Sequence, residues 1–294
     1  MNSIKLSNIK NILKEAKKNH YAIAHININN LEWINAALQA SSETNTPVIL
    51  GVSEGAIKYN NGFKNVYDMV INTINFKNIK TPVVLHLDHG TFEGCKKAIE
   101  AGFSSIMFDG SSLDFQDNLK KTKELIDLIK DKDISIECEV GSIGGSEDGI
   151  SSNGELSSVD ECIEMSQQKI DCLAIGVGSI HGLYPDDWKG LDFDLLKELN
   201  DKCNNIPFVL HGGTGINDEM IKKAISLGIC KINVNTECQL AFSNAIRNYI
   251  IDGKDLDLNN KGYDPRMILK PGTEAIKEKC IEKFKLFGSF NKAI

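Results

Sequence analysis

Eight short β-prone runs recur along the chain with helical segments between them, and this alternation limits the fold more than any other feature. The runs fall at 21–28, 48–52, 83–87, 105–108, 135–140, 172–177, 208–210 and 229–234. Apolar residues at helical spacing fill 31–40, 92–101, 119–129, 159–168, 193–203 and 218–227. Strands that alternate with helices predict a parallel sheet covered on both faces, and eight such units predict closure into a barrel. Several runs are continuous apolar stretches entered through a proline, as in TPVI, TPVV and IPFV, which suits strands buried on both sides. An open doubly wound sheet would place a GxGxxG turn after the first strand, but the chain reads His25, Ile26, Asn27, Ile28, Asn29, Asn30 there. The expected fold is α/β, a single (β/α)8 TIM barrel domain over residues 1–294.

Other segments lie outside the repeat. An additional N-terminal helix is expected at 7–19, with Ser7 as its N-cap. A C-terminal helical extension is expected from about 252, with a turn at Tyr263, Asp264, Pro265 and a helix over 272–287. Residues 141–154, GSIGGSEDGISSNG, read as a mobile loop after the fifth strand.

Composition removes several functions. With 41% hydrophobic residues in 294, the chain can bury a large core. Net charge is −7 and the 33 basic residues are scattered, which argues against nucleic-acid or membrane-surface partners. The eight cysteines include no CxxC pair and read as reduced, buried small hydrophobes. The first residues lack the apolar core of a signal peptide, and no apolar stretch approaches the ~18 residues that span a membrane. A cytoplasmic protein is expected.

Chemistry in such a barrel gathers at the carboxyl ends of the strands. Asp88 and His89 follow strand three, Asp109 follows strand four, and Glu139 ends strand five. His181 and His211 follow strands six and seven, and strand eight ends in Asn233, Asn235 and Thr236. Three of the six histidines thus share one rim, and three imidazoles with a fourth position open suit a catalytic Zn²⁺. Asp109 or Glu139 can orient a ligand or hold a second divalent or monovalent cation. Asp88 can pass a proton, or it can orient a neighbouring imidazole. His20 and His25 are expected at the other end or the start of the barrel in structural roles, and His86 as a buried support within strand three.

HGGTGI at 211–216 and KINVNTE at 231–237 each run from a strand end into a helix start. Adjacent loops after strands seven and eight form the usual phosphate site of this fold. Gly213 and Gly215 would permit close backbone approach, and Thr214 and Thr236 carry hydroxyl donors. A metal beside a phosphate site can polarise the carbonyl of a phosphorylated substrate.

Taken together, HLDHG (86–90), IMFDGS (106–111), ECEVGSIGGSEDG (137–149), GSIHGLY (178–184), LHGGTGI (210–216) and KINVNTE (231–237) resemble class II fructose-bisphosphate aldolases along nearly the whole chain. GVSEGA near Gly51 and YDPR ending at Arg266 belong to the same likeness. The resemblance implies reversible, Zn²⁺-dependent cleavage of fructose 1,6-bisphosphate to dihydroxyacetone phosphate and glyceraldehyde 3-phosphate, a step of glycolysis and gluconeogenesis. It implies that His89, His181 and His211 bind the zinc, that Asp88 is the acid/base at the C4 hydroxyl, and that Asp109 and Glu139 match a second metal position. Gly182, Gly212, Gly213 and Thr214, with Asn233, Val234, Asn235 and Thr236, match the dihydroxyacetone-phosphate site, Asn233 lying beside the carbonyl. Glu147 matches an acid that moves the proton on the ketose carbon, and Arg266 an arginine at the distal phosphate of a neighbouring subunit. A homodimer, or a tetramer of dimers, is implied as well.

The chain departs from that pattern in places. Gly90 stands where many relatives carry a second His, and Ser146 where an acid or Gln is common. Tagatose-bisphosphate aldolases share most of the motifs but resemble NVAT at strand eight, where this chain has Asn235, which favours the fructose epimer. Two other readings compete. Lys231 shares a strand face with Asn233 and would serve a Schiff-base aldolase. An inactive barrel kept as a binding or adhesion protein would be supported by a missing ligand, yet Asp88 and the three histidines are all present.

Overall fold

The computed structural model describes residues 5–147, 150–203 and 205–293, without the side chains of residues 146, 147, 150 and 151. In chain order the strands are β1 (Ile23–Asn27), β2 (Val48–Ser53), β3 (Val83–Gly90), β4 (Ser105–Phe108), β5 (Ser135–Val140), β6 (Gly144–Glu147), β7 (Ile150–Ser152), β8 (Cys172–Ile175), β9 (Ile180–His181), β10 (Phe208–Leu210) and β11 (Ile229–Val234). The helices are α1 (Ile9–Lys18), α2 (Leu31–Thr44), α3 (Glu54–Tyr59), α4 (Phe63–Lys77), α5 (Phe92–Ala101), α6 (Phe115–Ile129), α7 (Val159–Ser166), α8 (Phe193–Lys202), α9 (Asp218–Ser226), α10 (Thr236–Ile251) and α11 (Pro265–Leu286). Strands close in the order β1-β11-β10-β8-β5-β4-β3-β2, and every pairing around the ring is parallel. All eight β-prone runs of the sequence are barrel strands, so the TIM barrel stands.

Strand alternation divides the apolar residues into two layers. Ala24, Ile26, Leu50, Leu85 and Leu87 face outward into the large core beneath the helices. Ile23, Ile49, Val84, Met107, Cys172 and Val209 form a second apolar cluster with α1. That helix covers the amino-terminal end of the barrel through Ile9 and Leu13, both fully buried, and their burial contributes about 3–6 kcal/mol. Its N-cap is Asn8 rather than Ser7. The amide of Ser7 is engaged with the carbonyl of Val83 at 2.9 Å, and the side chain of Asn8 accepts from the Lys10 amide.

Two further expectations change. The stretch read as a loop over 141–154 contains β6 and β7, paired antiparallel, and β6 also pairs in parallel with β9. Only residues 148 and 149 of it lie outside the described residues. The last helix begins seven residues before the expected start, at Pro265, because Asp264 caps the Arg266 amide at 2.9 Å. Pro271 therefore sits inside a helix, where it removes one backbone bond. At Gly272 a Cβ would approach the Phe242 ring to 2.4 Å, so glycine is what allows α11 to lie this close to α10. All eight cysteines are buried, and no helix among the described residues is long and apolar enough to cross a membrane.

Gly51 shows how the barrel interior makes room for polar groups. It lies beside His86 in the β2–β3 register, and a Cβ there would fall 1.7 Å from Nε2 of His25. Gly51→Ala is expected to cost about 1–3 kcal/mol, because His25 is fully buried and cannot swing into solvent. Denaturant unfolding checks this, and an unchanged midpoint would contradict it.

Candidate active site

The barrel interior is polar at its carboxyl end because four strands carry polar residues at alternating positions. These are His25 and Asn27 on β1, His86 and Asp88 on β3, Glu137 and Glu139 on β5, and Lys231 and Asn233 on β11. The upper member of each pair was anticipated at β3, β5 and β11. The lower layer of His25, His86, Glu137 and Lys231 was not read as one feature, although period-two spacing marks all four.

At the mouth, the rings of His89, His181 and His211 converge. Ring centroids lie 5.0 Å apart for His89 and His181, 4.6 Å for His89 and His211, and 5.8 Å for His181 and His211. One nitrogen from each falls within 4.8 Å of the others. His89 adopts φ 46°, in the left-handed region that residues other than glycine enter uncommonly. Its Nδ1 lies 2.7 Å from Asp109, leaving Nε2 aimed at Nδ1 of His211 at 2.9 Å. His181 arrives from β9, whose pairing with β6 fixes it, and Gly145 is required there because a Cβ would meet the His181 carbonyl at 2.2 Å. The donor set of convergent imidazole nitrogens with far-side carboxylates fits a divalent cation.

Electrostatics follow burial and partners. Burial opposes charge on His89, but the hydrogen bond to Asp109 and the surrounding carboxylates outweigh it and raise the ring well above its ordinary value. For His181, burial and then the neighbouring His89 push the ring down to about 4, and burial lowers His211 well below the usual range. Glu139 is raised by burial and by the Asp109 charge, and its Oε2 has no hydrogen-bond partner. Together with His89, Asp109 and Glu139 form a second cluster suited to a cation.

Asp88 is 1% exposed and held by two amides, Asn27 Nδ2 donating at 2.8 Å and Asn233 Nδ2 at 3.2 Å. Burial alone would raise its carboxyl, yet the imidazoles of His25, His89 and His211 around it keep it well below the usual carboxylate range. Beyond it opens a cavity of about 530 Å³ lined by residues including Ser53, His89, Asp109, Glu139, Ser142 and His181. Buried oxygens without partners gather at this end: Glu139 Oε2, Ser179 Oγ, Asn233 Oδ1 and Asn235 Oδ1. Such a concentration marks a place where a ligand completes the hydrogen bonding.

The glycine loops are tighter than the sequence suggested. The Gly213 amide donates to the Asn233 carbonyl at 3.0 Å, and the Gly215 amide donates to Glu237 at 3.1 Å, so neither is turned to an anion. Gly213 lacks a Cβ to admit Ile232 and the Asn233 backbone, not a substrate. Thr214 Oγ1 accepts from the Glu237 amide at 3.3 Å, leaving its hydroxyl proton to donate. Val234 turns its side chain into the outer core, so only its backbone is offered to the mouth. Asn235 precedes α10 and Thr236 opens it, while Gly182 follows β9 with φ 90°. Tyr184, not singled out in the sequence, ties these loops together: its hydroxyl donates to the Gly212 carbonyl at 2.8 Å and accepts from the Ile180 amide at 3.0 Å.

Three residues stand apart. The side chain of Glu147 lies outside the described residues. Arg266 is 88% exposed at the start of α11, paired with Asp264, and does not line the cavity of its own chain. Lys231 points into the layer below and is fully buried against Glu137 at 2.8 Å, an ion-paired ammonium rather than a free amine facing substrate.

The sequence matches the family described as fructose-bisphosphate aldolase class-II over residues 7–292. It is 59% identical to the fructose-bisphosphate aldolase of Ureaplasma parvum over 98% of both chains, and 55% identical to that of Mycoplasma pneumoniae over 98% of this chain and 100% of the relative. The crystal structure of the YdjI aldolase from Escherichia coli K12 superposes with a TM-score of 0.82 at 31% identity, covering 98% of this chain and 100% of that one. A barrel whose mouth gathers three imidazoles and an amide-held carboxylate is thus matched from end to end, and the chain belongs to the class II fructose-bisphosphate aldolase family.

Proposed function

We propose that this chain cleaves fructose 1,6-bisphosphate reversibly to dihydroxyacetone phosphate and glyceraldehyde 3-phosphate, as a zinc enzyme acting in the cytoplasm. The observation that carries the reading is the convergence of His89, His181 and His211 beside the Asp88 carboxylate. These three imidazoles would hold the ion, and an all-nitrogen set with an open position favours zinc over magnesium or calcium. Bound there, the ion supplies Lewis-acid polarisation of the ketose carbonyl. Asp88 takes the proton of the C4 hydroxyl as the C3–C4 bond breaks, its oxygens held in place by Asn27 and Asn233. Asp109 and Glu139 hold a second cation in this reading. Gly182, the 212–214 stretch and the 233–236 stretch bind the dihydroxyacetone-phosphate half, the Thr214 hydroxyl donating to phosphate. Glu147 moves the proton on the ketose carbon, and Arg266 reaches the distal phosphate of a neighbouring copy in a homodimer or a tetramer of dimers. Residues 1–294 work as one barrel domain.

Coupled cleavage assays on fructose 1,6-bisphosphate and its tagatose epimer, with Zn²⁺ supplied, test the substrate. Preferential turnover of the fructose epimer is expected. A preference for tagatose bisphosphate would keep the chemistry and overturn the substrate, and borohydride trapping of a covalent adduct would overturn the chemistry itself.

A further inference from the structure

The layer beneath the mouth holds a buried ion pair that the cleavage reaction does not use. Glu137 on β5 and Lys231 on β11 are both fully buried, with Nζ 2.8 Å from Oε2 and 3.1 Å from Oε1. Burying such a pair yields little stability by itself, since desolvation offsets the attraction. Its surroundings give it a direction. Glu137 Oε1 also lies 3.1 Å from Nε2 of His211, and Oε2 accepts from the Cys172 thiol at 3.4 Å.

A carboxylate only accepts, so the proton of the His211 ring must sit on Nε2. The lone pair is then on Nδ1, the nitrogen that faces His89. Asn233 lies across the edge of the same ring, its Nδ2 donating to Asp88 and standing 3.3 Å from Nδ1 and 3.4 Å from Nε2 of His211, so the tautomer is set by Glu137.

We propose that Glu137 is a positioning residue that sets metal affinity. Held by Lys231, it locks the His211 ring in the tautomer and orientation that present Nδ1 to the ion, as Asp109 does from the rim for His89. The inference rests on the reading of His89, His181 and His211 as metal ligands. The role of Lys231 is to keep the carboxylate in place.

Metal-free protein titrated with Zn²⁺ under chelator competition, and with Co²⁺ followed by its visible spectrum, tests this at one fixed pH near neutrality. Glu137→Gln is expected to weaken Zn²⁺ binding by about 10- to 100-fold and to alter the Co²⁺ spectrum. The double variant Glu137→Gln/Lys231→Met removes both charges and strands neither, which keeps the test available if the single variant fails to fold, and the same loss is expected. Folded variants that bind Zn²⁺ within about twofold of the parent, with an unchanged Co²⁺ spectrum, would make the pair purely structural and overturn the inference. A parent chain whose Co²⁺ binding is indifferent to His211→Ala would instead sink the metal reading, and this inference with it.

Discussion

Asp88→Asn is expected to lower kcat for cleavage of fructose 1,6-bisphosphate by about 10²- to 10⁴-fold, the usual worth of a positioned acid/base. The variant is close in shape, so the loss would report chemistry rather than packing. Asn27 and Asn233 each donate an amide proton to one Asp88 oxygen, at 2.8 and 3.2 Å. An amide at position 88 satisfies one of them and turns a donor against the other, a local conflict that leaves the strand pairing of β3 intact. In the proposed reaction, what disappears is the ability to accept the C4 hydroxyl proton. Because the neighbouring imidazoles overcome the effect of burial and hold Asp88 well below the ordinary carboxylate value, the native group stays ionised through the neutral range. Its contribution is therefore present above that low value and lost only as pH falls through it. Steady-state kinetics with metal occupancy measured in the same samples decides the matter. A kcat within about threefold of the parent would remove Asp88 from the proton transfer and leave it as an orienting group for the imidazoles.

The barrel was legible because strands buried on both faces must be apolar throughout, and the proline and glycine that bracket them mark where each begins. Polar residues at strand ends were legible for the complementary reason, since an isolated Asp88 or His211 after an apolar run has few structural uses. The layer below escaped because each member sits inside an apolar run and looks like an exception. Read at intervals of two, His25 with Asn27, His86 with Asp88, Glu137 with Glu139 and Lys231 with Asn233 point to the same side of their strands. The hairpin that steadies His181 was harder to see. Its pairing joins β6 to β9, more than thirty residues apart, and β9 is only two residues long, too short for any periodic signal. The last helix was expected from 272, whereas it starts seven residues earlier at Pro265, behind the Asp264 cap, and carries Pro271 in its interior.

Stripping divalent metal from the protein is expected to abolish cleavage, by about 10³-fold or more, since loss of Lewis-acid stabilisation is worth several kcal/mol. The pH dependence of reloading carries the sharper information. In the metal-free chain His89 is raised well above its ordinary value, whereas His181 is pushed down to about 4 and His211 is lowered well below the usual range. At neutral pH the cluster thus carries one proton beyond those of three neutral rings, on His89, and the incoming ion must displace it. A raised value means the protonated form persists as pH rises past the ordinary histidine range, so competition with the metal is fully present below it and fades only above the raised value. Apparent Zn²⁺ affinity should accordingly rise about tenfold per pH unit from mildly acid conditions up to the His89 value and then level off. Asp109→Asn weakens the group that holds that proton, so it should bring the levelling to lower pH while also loosening the ring. Chelator competition across pH measures both. A slope near two would mean that a second imidazole is charged in the free site, and a flat response would mean that His89 enters the site without a proton to lose.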